Sequence, residues 1–167
     1  MIGRINIIKM NIMPRLFYLF QTLPVKFPLG FLRDLRSRFT KFIWAGKSAR
    51  LRRDILTLPK DRGGVGLPDP VSYYEAAHLA RVVEWCALQR TKPWILMEQK
   101  ITKIPLEGLA WIQEVDIPQE VKKHPTIGAT IRVMKRKFRK TKISEHVSPL
   151  VPVLGNPRFQ LGLRFTF

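Results

Sequence analysis

The sequence contains few side chains suited to catalysis, and they lie far apart. Cys86 is the single cysteine, and none of the three histidines, His78, His124 and His146, has a cysteine or a second histidine at metal-ligand spacing. The 12 acidic residues include no Asp-Asp or Asp-x-Asp pair of the kind that holds two metal ions for nucleotidyl transfer. We interpret Cys86 as a buried small hydrophobe and His78 as a structural side chain. We therefore predict no catalytic residue, no metal site and no cofactor in this chain.

Two glycine-containing strings match phosphate-binding motifs only in part. Gly46-Lys47-Ser48 resembles the end of a P-loop, but Lys41 stands where that motif requires its first glycine, and a helix is predicted before it instead of a strand. Gly63-Gly64-Val65-Gly66 is not followed by a helix at dinucleotide-binding spacing, so we interpret it as a tight turn with positive φ angles. Neither string predicts a nucleotide site.

Positive charge is the dominant chemical feature of the chain, which carries 30 basic and 12 acidic residues and a net charge of +18. Residues 1–53 contain 12 basic residues and one acidic residue, and residues 132–167 contain nine and one, whereas residues 54–131 are nearly neutral. Such an excess favours a polyanionic partner, because lysine and arginine neutralise phosphates and release counterions. The residues that we expect to contact phosphates are Arg4, Lys9, Arg15, Lys47, Arg50, Arg52, Arg53, Lys135, Arg136, Arg139 and Lys140.

Apolar periodicity predicts that helices position the basic residues of the first third. The apolar residues Ile5, Ile8, Ile12, Leu16, Leu19 and Leu23 follow one another at steps of three or four. Pro14 is expected to kink or break that helix. A second helix is predicted over about residues 29–44, so residues 1–48 would form a basic helical hairpin with an apolar seam. Residues 49–68 are predicted to form a β-hairpin whose turn contains the glycines.

The remainder of the chain is predicted to be helical up to an extended tail, which makes the fold class mainly α. Residues 69–125 form a predicted helical region, with a helix over 70–89 that Asp69 would cap, and shorter helices over 94–101 and 106–113. Residues 126–147 are predicted to form a basic amphipathic helix, and residues 148–167 an extended tail. No apolar run reaches the roughly 20 residues that span a bilayer, and no signal peptide is recognisable, so we expect an intracellular protein without a transmembrane segment.

Several strings resemble LINE-type non-LTR retrotransposon polyproteins, in collinear order over nearly the whole chain. They are Gly3-Arg4-Ile5-Asn6-Ile7-Ile8-Lys9-Met10, Leu23-Pro24, Phe42-Ile43-Trp44, Leu58-Pro59-Lys60, the glycine string from Gly63, Tyr73-Tyr74-Glu75-Ala76-Ala77 and Gly155-Asn156-Pro157. The resemblance implies the thumb of a reverse transcriptase and the connecting region beyond it. It therefore implies a truncated piece of an RNA-directed DNA polymerase that lacks the palm carboxylates.

In that family the thumb grips the template–primer duplex, and the matching positions here are Arg4 and Lys9. The implied partners are the backbone of an RNA or RNA–DNA duplex and the missing palm and fingers of a parent polymerase. Base reading is not expected, because contacts to phosphates carry no sequence information.

Three alternatives remain open at this point. The chain could be a non-functional translation product of a degraded element copy. It could be a basic amphipathic protein that docks on a membrane surface or a partner, since residues 131–142 combine apolar and cationic faces. It could also be an organellar matrix protein, because residues 1–33 contain no acidic residue, as is typical of transit peptides.

Overall fold

The computed structural model describes residues 1–23, 26–87, 92–102, 104–112 and 114–141. These residues are mainly helical and contain no β-strand, which confirms the predicted mainly α fold class. The chain divides into two compact units between Ala77 and His78. The predicted tail and the last residues of the predicted basic helix lie outside the described ranges.

The first unit is built on two packed helical arms. The first arm contains α1 (Ile2–Ile7), a π-helical stretch (Ile8–Ile12) and α2 (Met13–Thr22), and the second arm is α3 (Leu29–Ile43). Both predicted helices of this region are therefore present. The buried residues that the arms share with the segment after them are Ile5, Ile8, Met13, Phe39, Ile43, Leu56 and Leu67. This core is apolar throughout, so its burial stabilises the contact between the arms.

Pro14 does not break the first arm. The helix widens into the π-helical stretch, which ends two residues before the proline. A wider turn accommodates both the missing N–H of proline and the contact of its ring with the preceding turn. The extra residue in that turn also rotates the following side chains. Phe20 is consequently buried, whereas Leu19 and Leu23, which the regular spacing assigned to the core, are exposed.

The predicted β-hairpin over residues 49–68 is wrong. The segment contains α4 (Arg53–Thr57) and a 3-10 turn (Lys60–Arg62) instead. A half-buried strand would bury alternate residues, but here Leu56 alone is buried among the apolar residues of the supposed first strand. The exposed ones are Leu51, Ile55 and Leu58. The apolar residues therefore form a short helix that buries one side chain, that of Leu56.

The glycine turn itself is present. Gly63 and Gly66 have φ angles of 78° and 61°, in the left-handed region that favours glycine. The Gly66 N–H donates to the Leu58 carbonyl at 2.8 Å, and the Leu67 N–H donates to the Leu56 carbonyl at 2.8 Å. These two bonds return the chain along α4 and bring Leu67 into the core of the first unit.

The helix α5 (Pro70–Trp85) begins as the sequence predicted. The Asp69 carboxylate accepts hydrogen bonds from the Ser72 N–H at 3.0 Å and from the Ser72 hydroxyl at 2.9 Å, so it caps the helix. Pro70 is the first helical residue, where its missing N–H has no cost. The helix ends at Trp85, earlier than expected. Cys86, which was expected to be buried, lies just beyond this end and is exposed.

The second unit packs helices of 5 to 17 residues and one 3-10 turn around an apolar core. They are α6 (Pro93–Ile101), a 3-10 turn (Gly108–Ala110), α7 (Gln119–Lys123) and α8 (Pro125–Thr141). The helix expected over residues 106–113 is reduced to that 3-10 turn. The largest fully buried side chains of this unit are Trp85, Ile95, Leu106, Leu109, Ile117, Val121, Ile127 and Met134. Trp94 and Trp111 pack against this core.

Candidate nucleic-acid interface

An open cleft of about 390 Å³ lies beside the segment that connects α3 to α4. Its lining residues include Arg50, Arg52, Arg53 and the Thr40 side chain of α3, and we call it the arginine cleft. Arg50 and Arg52 are exposed, as is Lys47 earlier in the same segment. Three of the predicted phosphate contacts, Arg50, Arg52 and Arg53, therefore line one concave surface.

Arg53, which was expected to contact phosphate, is turned inward instead. Its Nη1 donates to the Arg36 carbonyl at 3.0 Å and to the Thr40 hydroxyl at 3.3 Å, and its Nη2 donates to Asp69 at 3.4 Å. Burial lowers the pKa of the Arg53 guanidinium, although the Asp69 carboxylate opposes the shift. Arg53 therefore fixes the floor of the arginine cleft and adds positive potential there.

Asp69 is the acidic residue that holds this floor together. Arg36 donates to both of its carboxylate oxygens, through Nε and Nη2. Burial alone would raise the pKa of Asp69, but hydrogen bonds from Arg36 and Ser72 outweigh it and hold the pKa below its ordinary value. Two guanidinium groups thus share one carboxylate, so the floor keeps an excess of positive charge.

Arg36 lies on the inner side of α3, and it was not among the residues singled out from the sequence. It follows Leu32 by one helical turn and precedes Phe39 by three residues, and both of these apolar residues are buried. This spacing is the sequence signal that could have placed Arg36 on the inner side.

The exposed cations of the segment between α3 and α4 are Lys47 and the cleft-lining Arg50 and Arg52, and they are available for a ligand. Within the described ranges, neither Lys47 nor Arg50 has an acidic side chain at ion-pair distance. Arg52 pairs with Asp54 at 2.9 Å, but the two side chains are 82% and 79% exposed. Such exposed pairs contribute little stability, so a phosphate can replace the carboxylate as the partner of Arg52.

The predicted contacts of the first arm have mixed roles. Arg4 donates to the Phe42 carbonyl at 3.0 Å and lies 5.7 Å from the centroid of that ring, so it joins α1 to α3. Lys9 donates to the Val65 carbonyl at 3.3 Å. Arg15 is exposed and projects from α2. Arg4 and Lys9 are therefore engaged in hydrogen bonds within the unit, whereas Arg15 presents its charge to solvent.

Four further predicted contacts lie on α8 in the second unit. Lys135 donates to the Ala110 carbonyl at 3.0 Å and to the Ile112 carbonyl at 2.5 Å, and thereby caps the 3-10 turn. Arg136 is half-buried, whereas Arg139 and Lys140 are exposed in the last turn of the helix. The exposed charge of α8 is consequently smaller than its sequence indicated.

Lys41 was not among the predicted contacts, although it is exposed in the last turn of α3. It directly follows the cleft-lining Thr40. Arg33, Ser37 and Lys41 are all exposed and recur every four residues, which places them on one outward strip of α3. That spacing is visible in the sequence and could have added Lys41 to the prediction.

His78 occupies a structural position in the second unit. It is buried, and its Nδ1 lies 2.9 Å from the Thr130 hydroxyl oxygen. Burial and the positive charges of Arg81, Arg132 and Arg136 lower the pKa of His78 to about 4. The imidazole is therefore neutral near pH 7, and its position accords with the structural role that the sequence suggested.

No protein-family model matches the chain. Among the described residues, no three histidine, cysteine or carboxylate side chains come together as metal ligands. In the same ranges, no helix has both the length and the apolar character needed to cross a bilayer.

Proposed function

We propose that the first unit binds the phosphate backbone of an RNA or RNA–DNA duplex without reading its bases, and that the chain is a thumb-like piece related to non-LTR retrotransposon reverse transcriptases. In this proposal the chain has no catalytic site, and a separate palm would carry the polymerase chemistry. The resemblance of Gly3–Met10 and the later strings supports the relationship. The chemistry of the arginine cleft supports the binding.

The observation that carries the proposal is the pair of exposed arginines, Arg50 and Arg52, that line a cleft together with the inward-facing Arg53. Lys47 is exposed three residues before Arg50 in the same connecting segment. Guanidinium groups match phosphate oxygens in geometry and charge. The floor is already ordered by Arg36 and Asp69, so binding need not order it. Neutralisation of three phosphates by Lys47, Arg50 and Arg52 gives a slope of about −2.7 in log affinity against log salt.

The test is a salt titration of the full chain with a labelled RNA–DNA duplex, followed by fluorescence anisotropy. The affinity should fall steeply with salt, and Arg50→Gln should make the slope less negative by about 0.9. Arg62→Gln is the matched control, because Arg62 is also exposed in the first unit but lies outside the arginine cleft. A slope near zero for the unaltered chain would exclude the proposal.

A second candidate, docking on an anionic membrane surface, is favoured by apolar residues exposed on the first arm. Met10, Ile2 and Tyr18 are 76%, 65% and 64% exposed, on helices flanked by cations. Apolar insertion combined with attraction to anionic lipids is typical of membrane-surface helices. Co-sedimentation with phosphatidylserine vesicles distinguishes the candidates: tighter binding to vesicles than to duplex would favour the membrane.

A further inference from the structure

The first unit contains another cavity, of about 290 Å³, which neither predicted chemistry nor the arginine cleft accounts for. We call it the tyrosine slot. Its walls are mostly apolar, and they come from Met13, Pro14, Phe17, Pro68 and Tyr73, with Lys9 as the charged lining residue. Phe17 and Tyr73 contact each other edge to face, with centroids 5.7 Å apart. Tyr73 and Pro14 are exposed, so the slot is open to solvent.

The size of the slot suits one planar aromatic group. A cavity of about 150 Å³ accommodates a benzene ring, and drug-sized ligands occupy pockets of about 300–1,000 Å³. A volume of about 290 Å³ therefore holds a one-ring or two-ring heterocycle. Aromatic walls such as Tyr73 stack on the face of any nucleobase, and stacking of this kind tolerates every base.

Lys9 supplies a hydrogen-bond donor to the slot, and an aliphatic ligand has no acceptor for it. Its ammonium group has three donors, and one of them is bonded to the Val65 carbonyl. A base carbonyl or ring nitrogen can accept from another. Gly66 also lines the slot, and a Cβ at that position would lie 3.4 Å from the Lys9 Nζ. Glycine thus leaves the space beside the ammonium group open.

We propose that the tyrosine slot binds a single unpaired nucleobase of a strand whose phosphates the basic first unit attracts. The inference rests on the proposed function, because backbone binding supplies the strand. Residues 1–77 contain 14 basic and five acidic residues, which favours a polyanion over a neutral peptide as the source of the aromatic group.

The experiment compares two labelled single strands of equal length and charge, oligothymidylate and a strand of abasic residues, binding to the full chain. The base-bearing strand should bind about tenfold more tightly, the effect of stacking one base. Tyr73→Ala should abolish this preference while leaving the affinity for the abasic strand unchanged, which also shows that the variant is folded. Tyr73→Phe should retain the preference. Tyr18→Ala is the matched control, because it removes an exposed tyrosine outside the slot.

The other outcomes separate the two proposals. Equal, salt-dependent binding of both strands would refute nucleobase binding in the tyrosine slot and leave the backbone proposal intact. A preference for the base-bearing strand that survives Tyr73→Ala would have the same meaning. Failure of both strands and of duplex to bind in dilute buffer would overturn both proposals. Saturable binding of N-acetyltryptophan amide, without any preference between the strands, would indicate that the slot binds an aromatic side chain of a protein partner. That result would refute nucleobase binding.

Discussion

Replacing Asp69 by asparagine tests the internal support of the arginine cleft. Asparagine is nearly the same size and remains a good N-cap, so the bond from the Ser72 N–H can persist. What is lost is the negative charge that accepts from Arg36 and Arg53. Asp69→Asn therefore separates the charge of this residue from its capping role, and Asp69→Ala removes both.

The expected cost follows from how far the charges are buried. The Asp69 side chain is 12% exposed and that of Arg36 is 37% exposed. Breaking a buried ion pair costs about 3–5 kcal/mol, whereas an exposed pair is worth about 0–1 kcal/mol. We expect about 2 kcal/mol for Asp69→Asn, and about 1 kcal/mol more for Asp69→Ala through the lost cap. The stabilisation is present above the ordinary pKa of aspartate and is lost as the pH falls through the depressed value.

Urea denaturation at pH 7 measures these costs as changes in the free energy of unfolding. Asp54→Asn is the matched control, because Asp54 pairs with an arginine at the surface, and it should change the free energy by less than about 0.5 kcal/mol. If Asp69→Asn were as mild as Asp54→Asn, Asp69 would not hold the floor. If Asp69→Asn and Asp69→Ala were equally destabilising, the capping contribution would be refuted.

Two further predictions concern the second unit. His78 has a folded pKa of about 4 against an ordinary value of 6.5, so its neutral form supports folding above pH 6.5. That support, about 3 kcal/mol, is lost progressively between pH 6.5 and 4, and the stability of His78→Gln should lack this part of the pH dependence in denaturation series. Lys135→Met should cost about 1–2 kcal/mol, because it removes hydrogen bonds to the carbonyl of Ala110, the last residue of the 3-10 turn, and to that of Ile112. The duplex affinity and salt slope of this variant should equal those of the unaltered chain. A less negative slope would instead assign Lys135 to phosphate binding.

The sequence predicted helices well where apolar residues recur over several turns. The arms of the first unit, the Asp69 cap and α8 follow from spacing and local hydrogen bonding alone. The change of phase after Pro14 did not follow, because a π-helical turn adds a residue that no periodic pattern contains. The β-hairpin failed for a related reason: few apolar residues around glycines suit either one helical turn or a short strand, and tertiary packing of Leu56 decides between them.

The candidate site was predictable in its charge and not in its geometry. Basic clusters are visible in the sequence, but Arg4, Arg53 and Lys135 look the same there as the exposed Arg50. Their inward bonds depend on backbone carbonyls and on Asp69, which are brought close only by the fold. The tyrosine slot likewise unites residues from α2, the glycine turn and α5, so no local motif encodes it.

Whether Lys47, Arg50 and Arg52 hold a phosphate backbone is tested by the salt dependence of duplex binding. It is measured for the unaltered chain and for a variant that carries Lys47→Gln, Arg50→Gln and Arg52→Gln together. The unaltered chain should lose about 40-fold in affinity through these three contacts between 50 and 200 mM salt. The triple variant should have a slope less negative by about 2.7. A triple variant with the slope and affinity of the unaltered chain would contradict the proposed role of the arginine cleft.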